Sequence, residues 1–246
     1  MSTLPVFLVD RLPAAGGQTV LDGPEGRHAA TVRRLRPGEQ LVLSDGSGGL
    51  ARCEVTAAER DLVRLSVAER WAEPAAQPRV VLAQALVKGE RGELAVELAT
   101  EAGVDEVLPW RASRCVARWE DGPRGAKALN RWRGTVREAA KQARRAWCPE
   151  VSAPVSTARL ADRVRDSAIA LVLHESADKG LAELTLPESG DLLIVVGPEG
   201  GITDAELDQL SAAGAVPVRL GKSVLRASTA AAVALGALGA LTRRWS

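Results

Sequence analysis

The sequence has no tyrosine and one phenylalanine, and aromatic residues make up only 3% of its 246 positions. Its core must therefore be built from alanine, valine and leucine, with six tryptophans supplying nearly all the large rings. Histidine is almost as scarce, with only His28 and His174. The three cysteines, Cys53, Cys115 and Cys148, lie far apart and form no C-x-x-C. A disulfide framework or a zinc centre is therefore not expected, no metal is expected, and a reducing cytoplasm fits best. No run reaches the roughly 18 apolar residues of a transmembrane helix, so no membrane association is expected. The opening MSTLPVFLVDRLP lacks the basic start and long apolar centre of a secretory signal.

Hydrophobic residues at 46% can fill a core, and charged residues at 26% suit a soluble surface. The net charge of +1 hides an asymmetry. Trp110–Trp147 holds eleven Lys/Arg against three Asp/Glu, a net of +8, whereas Cys148–Val218 holds four against twelve, a net of −8. Segregation of this kind permits a local basic surface on a nearly neutral chain.

Two regions differ in pattern. Residues 1–72 read as short strands at Phe7–Val9, Gln40–Ser44, Ala51–Thr56 and Leu62–Ala68. Asp45-Gly46-Ser47-Gly48-Gly49 is a hairpin turn signal, and Gly26–Leu35 reads as a short helix stopped by Pro37-Gly38. This predicts a small barrel-like β domain, followed by a proline-bearing linker at Ala72–Pro78. From residue 73 to 246 the chain interleaves buried-type strands with helices. The strands are Val80–Leu86, Val107–Trp110, Ile169–His174, Leu192–Val196 and Val216–Leu220, and the pattern predicts a mainly parallel α/β sheet. In such sheets ligands sit beyond the carboxyl ends of the strands. Three of those ends carry Leu173-His174-Glu175, Gly197-Pro198-Glu199-Gly200-Gly201 and Leu220-Gly221.

The G-P-E-G-G turn is neither G-x-G-x-x-G nor a P-loop. Paired with a second glycine loop, it predicts a ligand pocket made largely of backbone, with Thr203 or Asp204 capping the helix that begins near Ala205. His174 either lines that pocket or hydrogen-bonds a loop. His174-Glu175 does not extend to H-E-x-x-H, because position 178 is Asp, and G-x-S-x-G is absent. A helix over Asn130–Trp147 would place Arg133, Arg137 and Lys141 on one face, followed by Arg144 and Arg145. That face is either a phosphate-contacting surface or a solubilising one. Arg111, Arg114 and Arg118 nearby favour phosphate contact. His28, beside Arg27, reads as a surface or RNA contact. The final helix, Ser228–Trp245, is so rich in Ala and Gly that it implies either tight core packing or a subunit interface.

The strings VGPEGGITDAEL and LGKSVLRASTAA, with RHAATVRRLRPGEQLVLSDGSGG and KGERGELAVELATEAGVDEVLPWRASRCVARW before them, resemble the 16S ribosomal RNA uridine-N3 methyltransferase family of the SPOUT class. The resemblance spans nearly the whole chain. It implies an α/β protein with a PUA-like β-barrel domain (1–72) and a trefoil-knotted methyltransferase domain (73–246). S-adenosylmethionine would be held by Leu173, His174, Glu175, Gly197, Pro198, Glu199, Gly200, Gly201, Leu220, Gly221, Leu225, Ala227 and Ser228. The implied partner is 16S rRNA of the small subunit, and the implied assembly a homodimer. RNA contacts are expected at Arg27, His28, Arg33, Arg34, Arg114, Arg133, Arg137, Lys141 and Arg145. Three departures stand out: Ser228 replaces the family's glutamate, Lys141 reverses a family charge, and Ile202 replaces a phenylalanine.

Methylating uracil N3 requires loss of its proton, and a cation near O2 or O4 would stabilise the developing anion. Arg226 is the first candidate for that cation, with Arg145 and Arg137 as alternatives. Glu199, His174 or water would take the proton. The competing readings are a non-catalytic RNA-binding or ribosome-assembly protein, and a methyltransferase of the same fold acting on another nucleoside.

Overall fold

A computed structural model describes residues 4–245, so the first three residues of the opening segment lie outside the described residues. The chain divides into two compact units. One comprises the chain up to Ala75 together with Ala140–Cys148; the other comprises Ala76–Ala139 and Pro149 onward.

The first unit is a curled five-stranded sheet, a half-barrel. Its elements are β1 (Val6–Leu8), β2 (Gln18–Leu21), α1 (Gly23–Arg27) running into a π-helical turn (His28–Val32), β3 (Gln40–Ser44), β4 (Gly49–Ala58) and β5 (Val63–Ala72). The strand order is β1-β3-β4-β5-β2, with β1 parallel to β3 and the other pairs antiparallel. Alternating residues point inward: Leu41 and Leu43, Ala51, Cys53 and Val55, then Val63, Leu65 and Val67. They close on Phe7, Leu12, Leu21 and Ala29. Register shifts at Arg52/Cys53 and Val55/Ala57 bend the β4–β5 ribbon. The predicted hairpin forms around Asp45, whose carboxylate accepts from the N–H groups of Ser47 (2.8 Å) and Gly49 (2.9 Å). The expected helix at Gly26–Leu35 instead starts at Gly23 and has ended by Arg34, whose φ is +53°.

The chain returns to this unit after the long helix. Gly48 N–H donates to Ala146 O (3.0 Å), Cys148 N–H to Gly46 O (2.9 Å), and the Trp147 indole to Glu73 O (2.8 Å). Lys141 is 5% exposed, and its ammonium reaches Glu25 Oε1 at 3.1 Å.

The second unit carries β6 (Arg79–Ala85), α2 (Arg91–Glu101), β7 (Glu106–Trp110), α3 (Pro123–Gln142), β8 (Glu150–Val151), α4 (Thr157–Asp166), β9 (Ile169–Leu173), β10 (Asp191–Val196), α5 (Asp204–Ala212), β11 (Val216–Val218) and α6 (Ala227–Leu241). Its six strands are all parallel in the order β11-β9-β10-β6-β7-β8. Helices cover both faces. Residues of α4 and α5 pack with Val81, Ala83, Leu193 and Val195, while α2 and α6 pack together, with α6 also on β6 and β10. Leu192, Leu193, Ile194 and Val195 are fully buried, each contributing on the order of 1.5–3 kcal/mol. Arg79, Glu106, Arg163 and Asp191 form one ion network at the amino ends of the strands, at 2.7–3.1 Å. Near that end Arg244 pairs with Asp105 (2.7 Å) and donates to Pro78 O.

The strand sequence reverses between β6 and β10, which makes a topological switch point. After β11, at the sheet edge, the chain crosses back past the carboxyl ends of β9 and β10 to lay α6 against β10 and β6.

Two helices differ from expectation. The basic helix starts at Pro123 rather than Asn130 and stops at Gln142, because Arg144 turns to φ +55°. Arg144 and Arg145 therefore lie beyond it, and Ala143 is exposed. The final helix stops at Leu241, and Trp245 folds back over Gly236 and Gly239. No helix among the described residues is long and apolar enough to cross a membrane.

Candidate functional site: a three-loop cleft at the switch point

The segments after β9, β10 and β11 meet in a cleft of about 780 Å³ in the second unit. All of the residues assigned by resemblance to the cofactor line it: Leu173, His174 and Glu175; Gly197 to Gly201; Leu220 and Gly221; Leu225, Ala227 and Ser228. Arg226 lines it as well, and Val87, after β6, completes the wall at the switch point.

The middle loop is fixed by its own covalent geometry and by tight contacts. A side chain at Gly197 would place Cβ 2.7 Å from Ile202 Cγ1, so the apolar residue that follows the turn has room only against glycine. Gly201 has φ +76°, in the region that favours glycine, and its N–H donates to Pro198 O (2.9 Å) to close the turn. Thr203 caps α5 in a capping box with Glu206.

Glu206 does more than cap. Its Oε1 accepts from Ser113 N–H (2.8 Å) and from Thr157 Oγ1 (3.1 Å), and its Oε2 from Thr203 N–H (3.1 Å) and Thr203 Oγ1 (2.8 Å). The Trp110 indole in turn donates to Thr157 Oγ1 (3.2 Å). One buried carboxylate thus ties the end of β7, the start of α4 and the G-P-E-G-G loop together. Burial works to raise the pKa of Glu206, but the Ser113 and Thr203 hydrogen bonds outweigh it and hold the carboxyl below its ordinary 4.5. The capping box is legible in T-D-A-E; the reach to Ser113 and Thr157, far away in sequence, is not.

His174 fulfils both of its alternatives. It lines the cleft, and its Nδ1 accepts from Ser176 N–H (3.3 Å), while its backbone N–H donates to Val218 O (3.0 Å). Glu199 lies 3.9 Å from the Arg91 guanidinium, a second cation on the cleft wall. Arg226 is the N-cap of α6; its carbonyl accepts from Thr229 and Ala230 N–H, and its side chain is exposed. Ser228, in the glutamate's place, is buried. Arg114, expected on the RNA surface, is exposed at the cleft and donates to Gly200 O (3.0 Å).

The other basic residues separate into two groups. Arg33, Arg34, Arg133 and Arg137 are exposed, with Arg133 Nε donating to Val151 O (3.2 Å), and Arg27 pairs with Asp61 at the surface (3.3 Å). Lys141 corrects the predicted basic face. Glu25 and His28 draw it into the first unit, its ammonium 3.5 Å from His28 Nδ1, so it presents no charge to a phosphate. His28 is half-buried and edge-on to Phe7, with ring centroids 5.8 Å apart. Arg145 is half-buried beyond the helix end.

A parallel α/β unit with a backbone-built cleft at its switch point shares one chain with a curled β unit, a layout found in the families that the chain matches. The RNA methyltransferase domain family matches residues 74–239, and the RNA methyltransferase PUA domain family matches residues 21–68. The ribosomal RNA small subunit methyltransferase E of Mycobacterium tuberculosis is 57% identical over 244 residues, covering 98% of this chain and 93% of that protein. The Bacillus subtilis protein of that name is 32% identical over 226 residues, covering 89% and 88%. The crystal structure of the Neisseria gonorrhoeae protein of that name, bound to S-adenosyl methionine, superposes with a TM-score of 0.87 at 27% identity, covering 98% of each chain. The chain belongs to the ribosomal RNA small subunit methyltransferase E family.

Proposed function

We propose that this chain transfers the methyl group of S-adenosylmethionine to N3 of a uridine in 16S rRNA, acting in the cytoplasm as a homodimer. The observation that carries the reading is the convergence of three loops, two of them glycine-bearing, on one cleft, in a member of a family with an S-adenosylmethionine-bound structure. The cleft fits that cofactor. Its volume lies within the roughly 300–1,000 Å³ of small-molecule sites. Val87, Leu173, Val196, Ile202 and Leu225 offer apolar walls to a base and a methionine chain. Glu175, Glu199 and Asp204 share the wall with Arg91, Arg114, Arg219 and Arg226, so carboxylates for a sulfonium and guanidinium groups for the anionic parts of the ligands stand at one cleft. Ala227 and Ser228 open α6, and the N–H groups of a helix start suit a carboxylate.

Bound there, the cofactor supplies an electrophilic methyl carbon. The chain's own residues align it and manage charge and protons. Arg226 stabilises negative charge on the uracil carbonyls as the N3 proton leaves, and Glu199 is the acceptor for that proton. The N3–C bond forms as the C–S bond breaks, and the electron pair stays on sulfur. A uridine within structured RNA must leave its stack to reach the cleft. The β unit of residues 1–72 and the exposed Arg33, Arg34, Arg133 and Arg137 hold the surrounding phosphates.

The test is incubation of the purified chain with S-adenosylmethionine and either 16S rRNA or small subunits, followed by nucleoside mass spectrometry. We expect one 3-methyluridine per RNA. Methylation of another nucleoside or another uracil atom would overturn the assignment of N3, and RNA binding without transfer would favour the assembly-factor reading.

A further inference from the structure

The loop that carries Arg114 into the cofactor cleft also walls a second cavity of about 350 Å³. Leu86 and Ala112 give it a buried apolar floor, and Trp119, Arg111 and Arg118 surround it. Cys115 is a further apolar wall, its thiol 3.7 Å from Trp110 O and its pKa pushed up by burial, so it stays protonated at neutral pH.

The cavity is preformed. Arg111 N–H donates to Val155 O (2.9 Å), Leu86 N–H to Trp110 O (3.0 Å), Cys115 N–H to Ala112 O (3.1 Å), and Ser113 N–H to Glu206. Trp119 is half-buried and held edge-on to the buried Trp132, with centroids 4.8 Å apart and planes at 77°. The two cations are available. Arg118 is exposed and makes no ion pair among the described residues. Arg111 pairs only with Asp121, which is 93% exposed, and an exposed pair of that kind is easily exchanged for another anion. Glu120 is the one acidic residue in the wall.

A fixed indole, an apolar floor and two available guanidinium groups match a flat base carrying a phosphate. An uncharged peptide or a bare acyl chain would leave the cations unpaired, and an acidic peptide offers no flat ring to the indole. Unstacked RNA bases are held in this way, by aromatic rings and arginine planes. Arg114 in the cleft and Cys115 in the cavity are consecutive residues, about 3.8 Å apart along the backbone. One loop therefore walls both the cleft and the cavity.

We propose that this cavity is a nucleotide subsite. It holds an unpaired nucleotide of the substrate RNA beside the methylated one, with its base against Trp119 and its phosphate between Arg111 and Arg118. The inference rests on the rRNA methyltransferase reading, and it identifies where that RNA is gripped outside the cofactor cleft.

The experiment pairs steady-state methylation with photo-crosslinking. Trp119→Ala should raise KM for rRNA about 5- to 150-fold, the range of one lost base stack. Arg118→Gln, an exposed change that leaves the core intact, should raise KM as well. Neither should alter S-adenosylmethionine affinity by calorimetry, and Trp119→Phe should restore most of the loss. RNA carrying 4-thiouridine next to the target should crosslink to the peptide containing Trp119. Unchanged KM in both Trp119→Ala and Arg118→Gln, or a parallel loss of S-adenosylmethionine affinity, would overturn the subsite while leaving the methyltransferase reading intact. A Trp119 crosslink from a wild-type chain that transfers no methyl group would have the opposite consequence.

Discussion

Glu206→Gln should loosen the cofactor cleft from a distance. The native carboxylate accepts four hydrogen bonds, from Ser113 N–H, Thr157 Oγ1 and both donors of Thr203. The amide keeps one acceptor oxygen and turns an NH2 toward groups that themselves donate. At least one part-buried donor, the Ser113 or Thr203 N–H, is left facing another donor, which costs about 1–3 kcal/mol. Glutamine can still close a capping box with Thr203, so the cap adds nothing beyond this one mismatched donor. The expected destabilisation is about 1–3 kcal/mol, or roughly 2–12 °C in the midpoint of thermal unfolding for a unit of this size. The pH dependence gives an internal control. The folded-state carboxyl titrates below its ordinary 4.5. Its ionised form therefore contributes stability that is fully present above that value and is lost as pH falls through the folded pKa. The gap between wild type and Glu206→Gln, read by thermal melts between pH 7 and pH 3, should be constant down to about 4.5 and narrow below it. A gap under 1 kcal/mol at pH 7, or one that widens with acid, would refute the clamp.

Lys141→Ala should destabilise the first unit by about 3 kcal/mol, because it strands the half-buried Glu25 carboxylate, whose Oε2 has no partner. Urea titration checks this, and Lys141 should contribute nothing to the salt slope of RNA binding. Arg133→Gln and Arg137→Gln together should reduce the slope of log K against log salt by about 0.7–0.9 for each phosphate that is no longer neutralised. An unchanged slope would remove this face from the RNA surface. Gly197→Ala should weaken S-adenosylmethionine binding measured by calorimetry, because its Cβ meets Ile202 at 2.7 Å and overpacking costs roughly 1–3 kcal/mol of local rearrangement. Native-like affinity in that variant would mean the loop is more pliable than its packing indicates.

Much of the fold is legible because its strands are buried on both faces and read as apolar runs. The strand at Gln40–Ser44 matches to the residue, and β6, β7, β9 and β10 match within one or two. β2 leaves little trace in the sequence because Gln18–Leu21 is an edge strand with only Leu21 buried, and β8 leaves none because two residues have no periodicity. Two of the three cofactor-type loops are legible from their glycines, which answer local needs of the backbone, and Leu173–Glu175 from its place at a strand end and from motif order. Lys141 defeats the pattern for a different reason. Helical spacing correctly places it one turn beyond Arg137, but whether that turn faces water depends on Glu25 and His28, more than a hundred residues away. Glu206 shows the same limit, because a cap is local and a clamp is not.

The central claim is that the segments around Leu173–Glu175, Gly197–Gly201 and Leu220–Ser228 together hold S-adenosylmethionine. A crystal structure of this chain with S-adenosylmethionine tests it most directly. Density for the cofactor is expected against all three loops, with its methyl group open toward Arg226. Density outside this cleft, or against only one of the three loops, would contradict it.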